Sequence, residues 1–315
     1  MKYNEGIMGK IWILQSILKE EHMKKVGIMT YSHSGISQQE ANALGIKVLS
    51  MPFYVDGNTY YEGVDLSKED FLERLHAGAE VSTSQSSPQD VLDMWDEMLK
   101  EYETILYLPL SSGLSGACMT AQAMAREEEY EGKVFVVDCG RVSAVLHRTI
   151  LDVVELVNEG ATAREIQQIL ESSKDRMIIY IGLSTLENLK KGGRINPAVA
   201  TVASVLNIKP VMELGVEKLD IYQKCRGVKK MKHILIETMK EKFQTDFKEE
   251  YDAGEVYLLA ASSALPETAN EWVEEIKEAF PGMDVLYDDL SFGISCHTGP
   301  DALGIGCVCK VKREK

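Results

Sequence analysis

Short aliphatic or β-branched runs recur along the chain and alternate with segments whose apolar residues are spaced three or four apart. Runs of that length are typical of strands, and that spacing is typical of helices. The runs are Val26–Thr30, Thr104–Leu110, Val134–Asp138, Met177–Gly182, Ile208–Met212, Val256–Ala261 and Asp284–Tyr287, with a final strand at Gly306–Val311. Because such alternation is typical of layered folds, we predict an α/β architecture.

Capping signals mark where several helices begin. Ser87-Pro88-Gln89-Asp90 offers an N-cap, a proline at the first helical position and an acid at the positive helix end. The apolar face that follows predicts a helix from 88 to about 102. A capping box at Thr162–Glu165 and the pair Asn196-Pro197 predict two further helix starts.

The chain is long enough for two domains. It has 315 residues, of which 45% are hydrophobic, so it can bury a large core. We expect an N-terminal α/β domain over 23–175 and a C-terminal α/β domain over 176–315, divided at the polar stretch Glu171–Arg176. Residues 1–22 read as an N-terminal extension, because Met23-Lys24-Lys25 directly precedes the first strand.

Charge and cysteine usage exclude several classes of function. Lys and Arg total 34 against 49 Asp and Glu, and the resulting charge of −15 repels nucleic acid and anionic membrane surfaces. The six cysteines form no C-x-x-C pair and no zinc-type spacing, so we expect a reduced, cytoplasmic protein without a metal site. No apolar run approaches the ~20 residues of a membrane span.

Two serine-rich loops precede helices. Ser82–Pro88 carries several hydroxyls at a place where a helix N-terminus favours an anion, although extra N-cap residues would look the same. Leu108–Gly116 joins a strand to a predicted helix at Ala117–Arg126, and its serines and glycines suit either an anion site or an ordinary turn. It has neither the Walker spacing nor a nucleophile elbow.

Two later segments also offer polar side chains. His297 lies in Cys296–Ile305 ahead of Thr-Gly-Pro, where it is either a turn histidine bonded to backbone or a donor to an anion. Leu186–Ile195 is a basic segment in an acidic protein. Its glycines suit a helix C-cap, whereas Arg194 suits recognition of a carboxylate or phosphate.

Together these segments resemble the DegV family. That family carries T-S-Q-P-S-P, S-S-G-L-S-G, V-x-D-S, L-x-x-L-x-K-G-G-R-I, K-P and H-T-G-P-G-A-L-G-I elements in this order. Here they read Thr83–Pro88, Ser111–Gly116, Val136–Cys139, Leu186–Ile195, Ile208–Pro210 and His297–Ile305. The resemblance runs from about residue 24 to the end, with departures at Tyr31, Ser86, Cys139 and Asp301.

The resemblance implies a two-domain α/β protein that buries one long-chain fatty acid between its domains. It implies a carrier without catalytic residues, metal or cofactor, which presents the acid to a separate fatty-acid kinase for phospholipid synthesis. The implied carboxylate ligands are Thr83, Ser115 and His297. The implied supporting residues are Ser84, Ser111, Ser112, Gly116 and Thr298, and the implied kinase-docking or phosphate-binding residues are Arg194 and Arg226.

Two enzyme-related alternatives remain. A serine-dependent lipid ester hydrolase would use Ser115 and His297, although the sequence identifies no aspartate for a triad. A dihydroxyacetone-kinase or phosphotransferase-like subunit would need a histidine for covalent phosphate or substrate, and His297 is the candidate.

Overall fold

The fold is described from a computed structural model over residues 24–195, 208–215 and 218–313. The predicted extension 1–22 and the predicted helix start at Asn196-Pro197 lie outside these residues. The strands are β1 (Lys24–Tyr31), β2 (Lys47–Leu49), β3 (Pro52–Val55), β4 (Asn58–Tyr61), β5 (Val81–Thr83), β6 (Tyr102–Leu108), β7 (Val134–Val136), β8 (Met177–Gly182), β9 (Ile208–Leu214), β10 (Leu219–Arg226), β11 (Val256–Ser262), β12 (Val285–Asp289) and β13 (Leu303–Cys309). The helices are α1 (Gln38–Leu44), α2 (Lys68–His76), α3 (Pro88–Met98), α4 (Ala117–Met124), α5 (Ser143–Asn158), α6 (Ala163–Ser172), α7 (Glu187–Lys191), α8 (Val228–Gln244), α9 (Lys248–Asp252), α10 (Pro266–Ala279) and α11 (Phe292–Thr298), with a 3-10 turn at Ser32–Ser34.

The first sheet is parallel, with strand order β2-β1-β6-β7. One face packs on α5 and α6 through residues such as Leu146 and Ile166, and the other packs on α3 and α4 through Trp95 and Ala121. Since both faces are covered, β1 is buried at every residue from Val26 onward and β6 from Ile105 onward. The carboxyl ends of these parallel strands lie at one edge, which is where α/β sheets place binding loops.

The second sheet has the order β10-β9-β8-β13-β11-β12 and is antiparallel except for the β11–β12 pair. One face packs on α8 and α10 around Trp272 and Phe243. The opposite face packs on residues from α5 and α7, including Val145 and Leu189. The mixed α/β fold predicted from the sequence is confirmed.

A small antiparallel sheet, β4-β3-β5, is inserted after β2. It packs on α2 and α11 through an aromatic cluster in which Phe71 and Phe292 stack at 4.4 Å between ring centroids, with Phe53 edge-on to both. This cluster fixes α11, an element from late in the chain, against a strand from its first third.

Helix α5 connects the two large sheets. Its Ile150 and Val153 pack against the first sheet, while Ala144 and Val145 pack against the second. His147 on the same helix bonds Asp288 of β12 at 2.9 Å and Glu40 of α1 at 3.0 Å. Every strand of the second sheet follows residue 176, but the domain division at 175–176 stays a prediction.

Some predicted boundaries are wrong. The helix predicted from 88 to about 102 ends at Met98, because the chain turns at Lys100 and Tyr102 opens β6 by pairing with Lys24. The helix predicted to reach Arg126 ends at Met124. The final strand is Leu303–Cys309 instead of Gly306–Val311, since its ladder starts at Leu303; the backbone amide of Val311 instead donates to Asp152.

Candidate functional site

A cavity of about 410 Å³ lies between the two large sheets. Its volume is within the range of roughly 300–1,000 Å³ that is usual for small-molecule sites. The walls are mostly aliphatic and come from both halves of the chain, with Leu110, Val142 and Val145 from the first and Ile179, Leu259 and Ile294 from the second. Of the methionines in the described ranges, Met51 lines it. The cavity therefore suits a slender apolar molecule.

Three of the predicted ligand residues, Thr83, Ser115 and His297, line this one cavity. Thr83 is the last residue of β5, and Ser115 lies in the loop before α4. His297 lies on α11, where its Nε2 is 2.8 Å from Thr83 Oγ1. The interpretation of His297 as a turn histidine bonded to backbone is wrong, because its hydrogen-bond partner is the side chain of Thr83.

Helix α11 holds His297 in place through its neighbours. Ser291 caps the helix by accepting from the Ile294 amide at 3.3 Å, and Glu62 accepts from the Phe292 amide at 2.5 Å. Burial raises the pKa of the Glu62 carboxyl to about 7, even though hydrogen bonds from Phe292 and Ser32 lower it. The side-chain amide of Asn188 on α7 donates to the backbone carbonyl of Cys296 at 3.2 Å, so α7 and α11 are tied together.

The loop that carries Ser115 is organised by Asp138, the acid of the V-x-D-S element. Asp138 accepts from the Ser112 amide at 3.2 Å and from the Ser112 hydroxyl at 2.7 Å, and it pairs with Lys174 at 2.9 Å. Burial raises the pKa of Asp138, but the bonds from Lys174 and Ser112 outweigh it and lower the pKa overall. An ionised Asp138 thus fixes the loop.

Ser115 is buried at the start of α4. Its Oγ accepts from the Ala117 amide at 3.2 Å, which leaves the hydroxyl hydrogen available for a ligand. The positive end of α4 adds a favourable field for an anion at this point. No hydrogen bond joins Ser115 to His297 in the parts of the chain that the structure describes.

The two predicted arginines are far apart. Arg194 lines the cavity and donates from Nε to the Leu114 carbonyl at 3.3 Å and from Nη1 to the Gly192 carbonyl at 2.6 Å. An open groove adjoins the cavity there and shares Leu114, Ser115, Arg194 and Leu219 with it. Arg226 is at the other end of β10 from Leu219, about 24 Å along the strand.

The supporting residues divide between the cavity and its surroundings. Ser84 and Thr298 line the cavity, whereas Ser112 and Gly116 line the adjoining groove. Ser111 is buried and shapes the turn by accepting from the Gly113, Leu114 and Ser115 amides. Helix α3 is capped by Ser87, so the Thr83 hydroxyl does not serve as its N-cap.

The polar end of the cavity is nearly uncharged at neutral pH apart from Arg194. Burial and the nearby Arg194 charge lower the pKa of His297 to about 4, so its ring is neutral. A neutral imidazole can donate from one nitrogen only, and its Nδ1 is buried without a partner among the described residues. A site of this kind favours an incoming anion because it already holds donors and one guanidinium.

Sequence reasoning missed three polar residues of the cavity, His33, Gln85 and Ser143. Ser143 has a left-handed backbone (φ 55°) and a buried hydroxyl with no partner among the described residues. His33 belongs to Ser32-His33-Ser34, a polar triplet directly after β1. The signal that could have found it is its place at the carboxyl end of a buried parallel strand.

Two further kinds of feature are absent from the described ranges. Among residues 24–195, 208–215 and 218–313, no group of three or more His, Cys, Asp or Glu side chains is arranged to hold a metal ion. Within the same ranges, no helix combines the length and the apolar character needed to cross a membrane.

Comparison with known proteins agrees with this layout. A family model described as "Uncharacterised protein, DegV family" matches residues 25–310. The chain belongs to the DegV family. A DegV domain-containing protein of Caldanaerobacter subterraneus is 28% identical over 283 residues, covering 90% of this chain and 98% of that protein. One from Clostridium perfringens is 29% identical over 290 residues, with 90% and 97% covered.

Solved DegV structures share the fold. A DegV family protein from Thermus thermophilus, described as binding fatty acid, has a TM-score of 0.76 at 25% identity, covering 90% of this chain and 99% of that one. A fatty-acid-binding DegV family protein from Streptococcus agalactiae has a TM-score of 0.79 at 25% identity, covering 91% and 99%.

Proposed function

We propose that this DegV protein binds one long-chain fatty acid in the cavity and presents its carboxylate to a separate fatty-acid kinase, which supplies acyl phosphate for phospholipid synthesis. The observation that carries the proposal is a mostly aliphatic cavity whose lining includes three polar side chains, Thr83, Ser115 and His297, of which Thr83 and His297 are hydrogen-bonded to each other. Fatty-acid binding by the Thermus and Streptococcus relatives supports the choice of ligand.

The aliphatic walls supply most of the affinity. Each buried methylene contributes ~0.8 kcal/mol, so a tail of some fourteen methylenes gives on the order of 11 kcal/mol before the costs of association. A fatty acid can fill such a cavity without placing polar atoms against walls such as Ile179 and Leu259. Sugars and nucleotides would have to bury hydroxyl and phosphate groups there without partners.

The head group needs donors, and the hydroxyls of Thr83 and Ser115 provide them. If Thr83 gives its hydroxyl hydrogen to the carboxylate, its oxygen accepts the Nε2–H of His297 across the 2.8 Å contact. Ser115 donates its hydroxyl hydrogen while the Ala117 amide donates to its oxygen. In this arrangement His297 acts through Thr83, so the ring can stay neutral.

Presentation to a kinase is supported by the position of the polar end. Ser115 and Arg194 belong both to the cavity and to the open groove beside it, so a carboxylate bound there lies near the protein surface. Arg194, an exposed residue, adds a positive charge that suits the phosphate being transferred. The acyl tail would meanwhile stay between the sheets.

The contacts of Ser115 argue against the hydrolase alternative. A serine nucleophile needs a base within hydrogen-bond reach, and His297 is bonded to Thr83 instead. The nearby Asp138 is already paired with Ser112 and Lys174.

The proposal is tested by comparing a fatty acid with its methyl ester. Thr83→Val and Ser115→Ala should each weaken binding of palmitate by about ten- to a hundredfold, because a hydrogen bond to a charged group contributes ~1.5–3 kcal/mol. Methyl palmitate should bind less tightly to the parent protein and lose little further on either substitution. Isothermal titration of lipid-free protein measures both affinities.

Thr104→Val is the matched control, since it removes a hydroxyl in β6 that donates to the Lys25 carbonyl away from the cavity. It should bind palmitate like the parent. Organic extraction and gas chromatography of protein purified from bacteria should also find close to one long-chain acid per chain. Equal losses for acid and ester would overturn the head-group assignment, and hydrolysis of the ester that depends on Ser115 would establish a hydrolase.

A further inference from the structure

We propose that His33 is a second histidine of the head-group site and hydrogen-bonds the carboxylate of the bound acid directly. This inference rests on the proposed function and adds to it a residue outside the motifs that resemble the family. It follows from the burial of His33, from the lack of a partner for its ring, and from its position beside His297.

The His33 side chain is buried from bulk solvent, lines the cavity and has no hydrogen-bond partner among the described residues. The residue is 5% exposed and lines the cavity wall. Its Nδ1 is buried without a partner, and no hydrogen bond to either ring nitrogen is found among the described residues. A buried polar atom without a partner is costly, and such atoms in native proteins usually face a ligand or a water molecule.

Helix α11 places His33 next to the predicted head group. The His33 ring packs so closely on Gly293 that a Cβ there would lie 2.5 Å from its Nε2. Gly293 and His297 are four residues apart and therefore share one face of α11. Four residues rise about 6 Å along a helix, so the His33 ring on Gly293 lies about one turn from His297 and from the Thr83 hydroxyl bonded to it. A carboxylate that Thr83 binds is therefore close to His33.

Two further links support the same position. The Met51 amide donates at 3.2 Å to the hydroxyl of Ser32, the neighbour of His33, and Met51 directly precedes β3. In β3, Phe53 pairs with Thr83, so the segment carrying His33 is tied to the strand carrying Thr83. Burial, His297 in its protonated form and the Arg194 charge all lower the pKa of His33, so the three side chains share one electrostatic environment.

Another histidine shows what a structural role looks like in this protein. His147 is also buried, but both of its ring nitrogens are bonded, to Asp288 and to Glu40, and it does not line the cavity. His33 is equally buried, but its ring makes no such hydrogen bonds. A bound carboxylate would supply the missing hydrogen-bond partner, because a neutral imidazole offers one N–H donor to an anionic acceptor.

Nuclear magnetic resonance of the parent protein tests the contact without a substitution. Lipid-free protein labelled with ¹⁵N-histidine is titrated with palmitate and, separately, with hexadecanol, which keeps the tail and lacks the carboxylate. Palmitate should shift both ring-nitrogen resonances of His33 strongly, and hexadecanol should shift them far less. The His147 resonances should stay in place with either ligand.

Two substitutions add an affinity measurement. His33→Leu removes the donor at similar volume and should weaken palmitate binding by about ten- to a hundredfold, with little effect on hexadecanol. His33→Gln restores a donor and should recover part of the loss. His76→Gln, on the exposed side of α2 beside Asp301, is the matched control and should bind palmitate like the parent.

The outcomes separate this inference from the proposed function. If palmitate binds and the His33 resonances move no more than with hexadecanol, His33 is not a head-group residue although the protein still binds fatty acid. If His33→Leu weakens palmitate and hexadecanol equally, the residue has a packing role and the inference fails. If neither ligand binds and extraction finds no lipid, the proposed function itself fails.

Discussion

Two histidines at the polar end of the cavity, His33 and His297, lie in an environment that disfavours their charged forms. His33 is buried and His297 is half-buried, and both lie near the Arg194 charge. Burial first, then neighbouring positive charge, lowers the pKa of each to about 4. An unfolded chain has no such environment, so its histidines titrate near the ordinary value of 6.5. These two histidines therefore bind protons less readily in the folded protein than in the unfolded chain.

This exclusion predicts how stability depends on pH in lipid-free protein. The folded pKa lies below the unfolded one, so the histidine contribution to stability is complete above pH 6.5 and is lost as the pH falls toward 4. The loss amounts to on the order of 3 kcal/mol for each histidine. His33→Leu should thus gain free energy of unfolding relative to the parent as the pH falls, measured by urea unfolding at pH 7, 6, 5 and 4.

Glu62 provides the opposite control. Burial raises its pKa to about 7, so its contribution is present below pH 4.5 and is lost as the pH rises through 7. Glu62→Gln should therefore gain stability over the parent toward pH 7, in the direction opposite to His33→Leu. Unfolding curves of His33→Leu and the parent that stay parallel at every pH would contradict the assigned burial of His33.

The sequence could place some of these residues and not others. Thr83, Ser115 and His297 stand in separate motifs whose order resembles one family, and the structure brings them to one cavity; their contact with a ligand stays a prediction. His33 stands in no such motif and reaches the site only because β1 ends beside α11. Proximity of that kind depends on tertiary packing, which a local pattern does not encode.

Among the structural elements, the end of α7 shows two glycines with different tasks. Gly193 has φ 70° and turns the chain out of the helix, which is the capping role expected from the sequence. Gly192 has an ordinary helical backbone (φ −74°), so conformation does not require glycine there. The lack of space for a side chain requires glycine instead, because a Cβ at Gly192 would lie 2.1 Å from His297 Nδ1.

Gly192→Ala should therefore act on the site without straining the backbone. The added methyl group must displace the His297 ring, which is hydrogen-bonded to Thr83, and we expect about tenfold weaker palmitate binding because that bonded pair is disturbed. Lys191→Ala, at an exposed position one residue earlier, should bind palmitate like the parent. Titration calorimetry of both variants is the measurement, and equal affinities would show that His297 has another acceptable position.

Elements with long regular patterns were predictable, and the small sheet was not. Met177–Gly182 was predicted with the bounds of β8, the N-cap of α3 was predicted at Ser87, and the capping box of α6 was predicted at Thr162. The strand carrying Thr83 is three residues long and half exposed, and its sequence, Val81–Thr83, has no strand-like run. Its pairing with β3 comes from contacts more than twenty residues apart, beyond the reach of local propensity.

On the scale of the whole molecule, the proposed carrier has two separate basic positions. Arg194 lies at the junction of cavity and groove, whereas Arg226 is exposed at the far end of β10 and does not line the cavity. If a kinase contacts both, it must cover the length of β10. The two arginines should then contribute to different steps, Arg194 beside the reacting group and Arg226 in docking.

We predict that Arg194→Ala and Arg226→Ala each keep the bound lipid but slow phosphorylation by an added fatty-acid kinase. Arg226→Ala should mainly raise the concentration of carrier needed for half-maximal rate, because rim charges act on encounter. Arg194→Ala should also lower the maximal rate. Arg126→Ala, an exposed arginine at the end of α4, is the control. Loss of lipid from either variant with unchanged kinase turnover would refute this placement.

The place of β13 in the second sheet has a consequence for synthesis of the protein. β13 is the last strand along the described chain, yet it lies between β8 and β11 near the middle of the sheet. The strands of the first sheet and helices α3 to α6, which cover its faces, all precede residue 173, so this layer can assemble on the ribosome while the rest is still being translated. The second sheet, and with it one wall of the cavity, must wait for Leu303–Cys309 to emerge, so a nascent chain stalled before this point would expose the unpaired edges of β8 and β11 to chaperones.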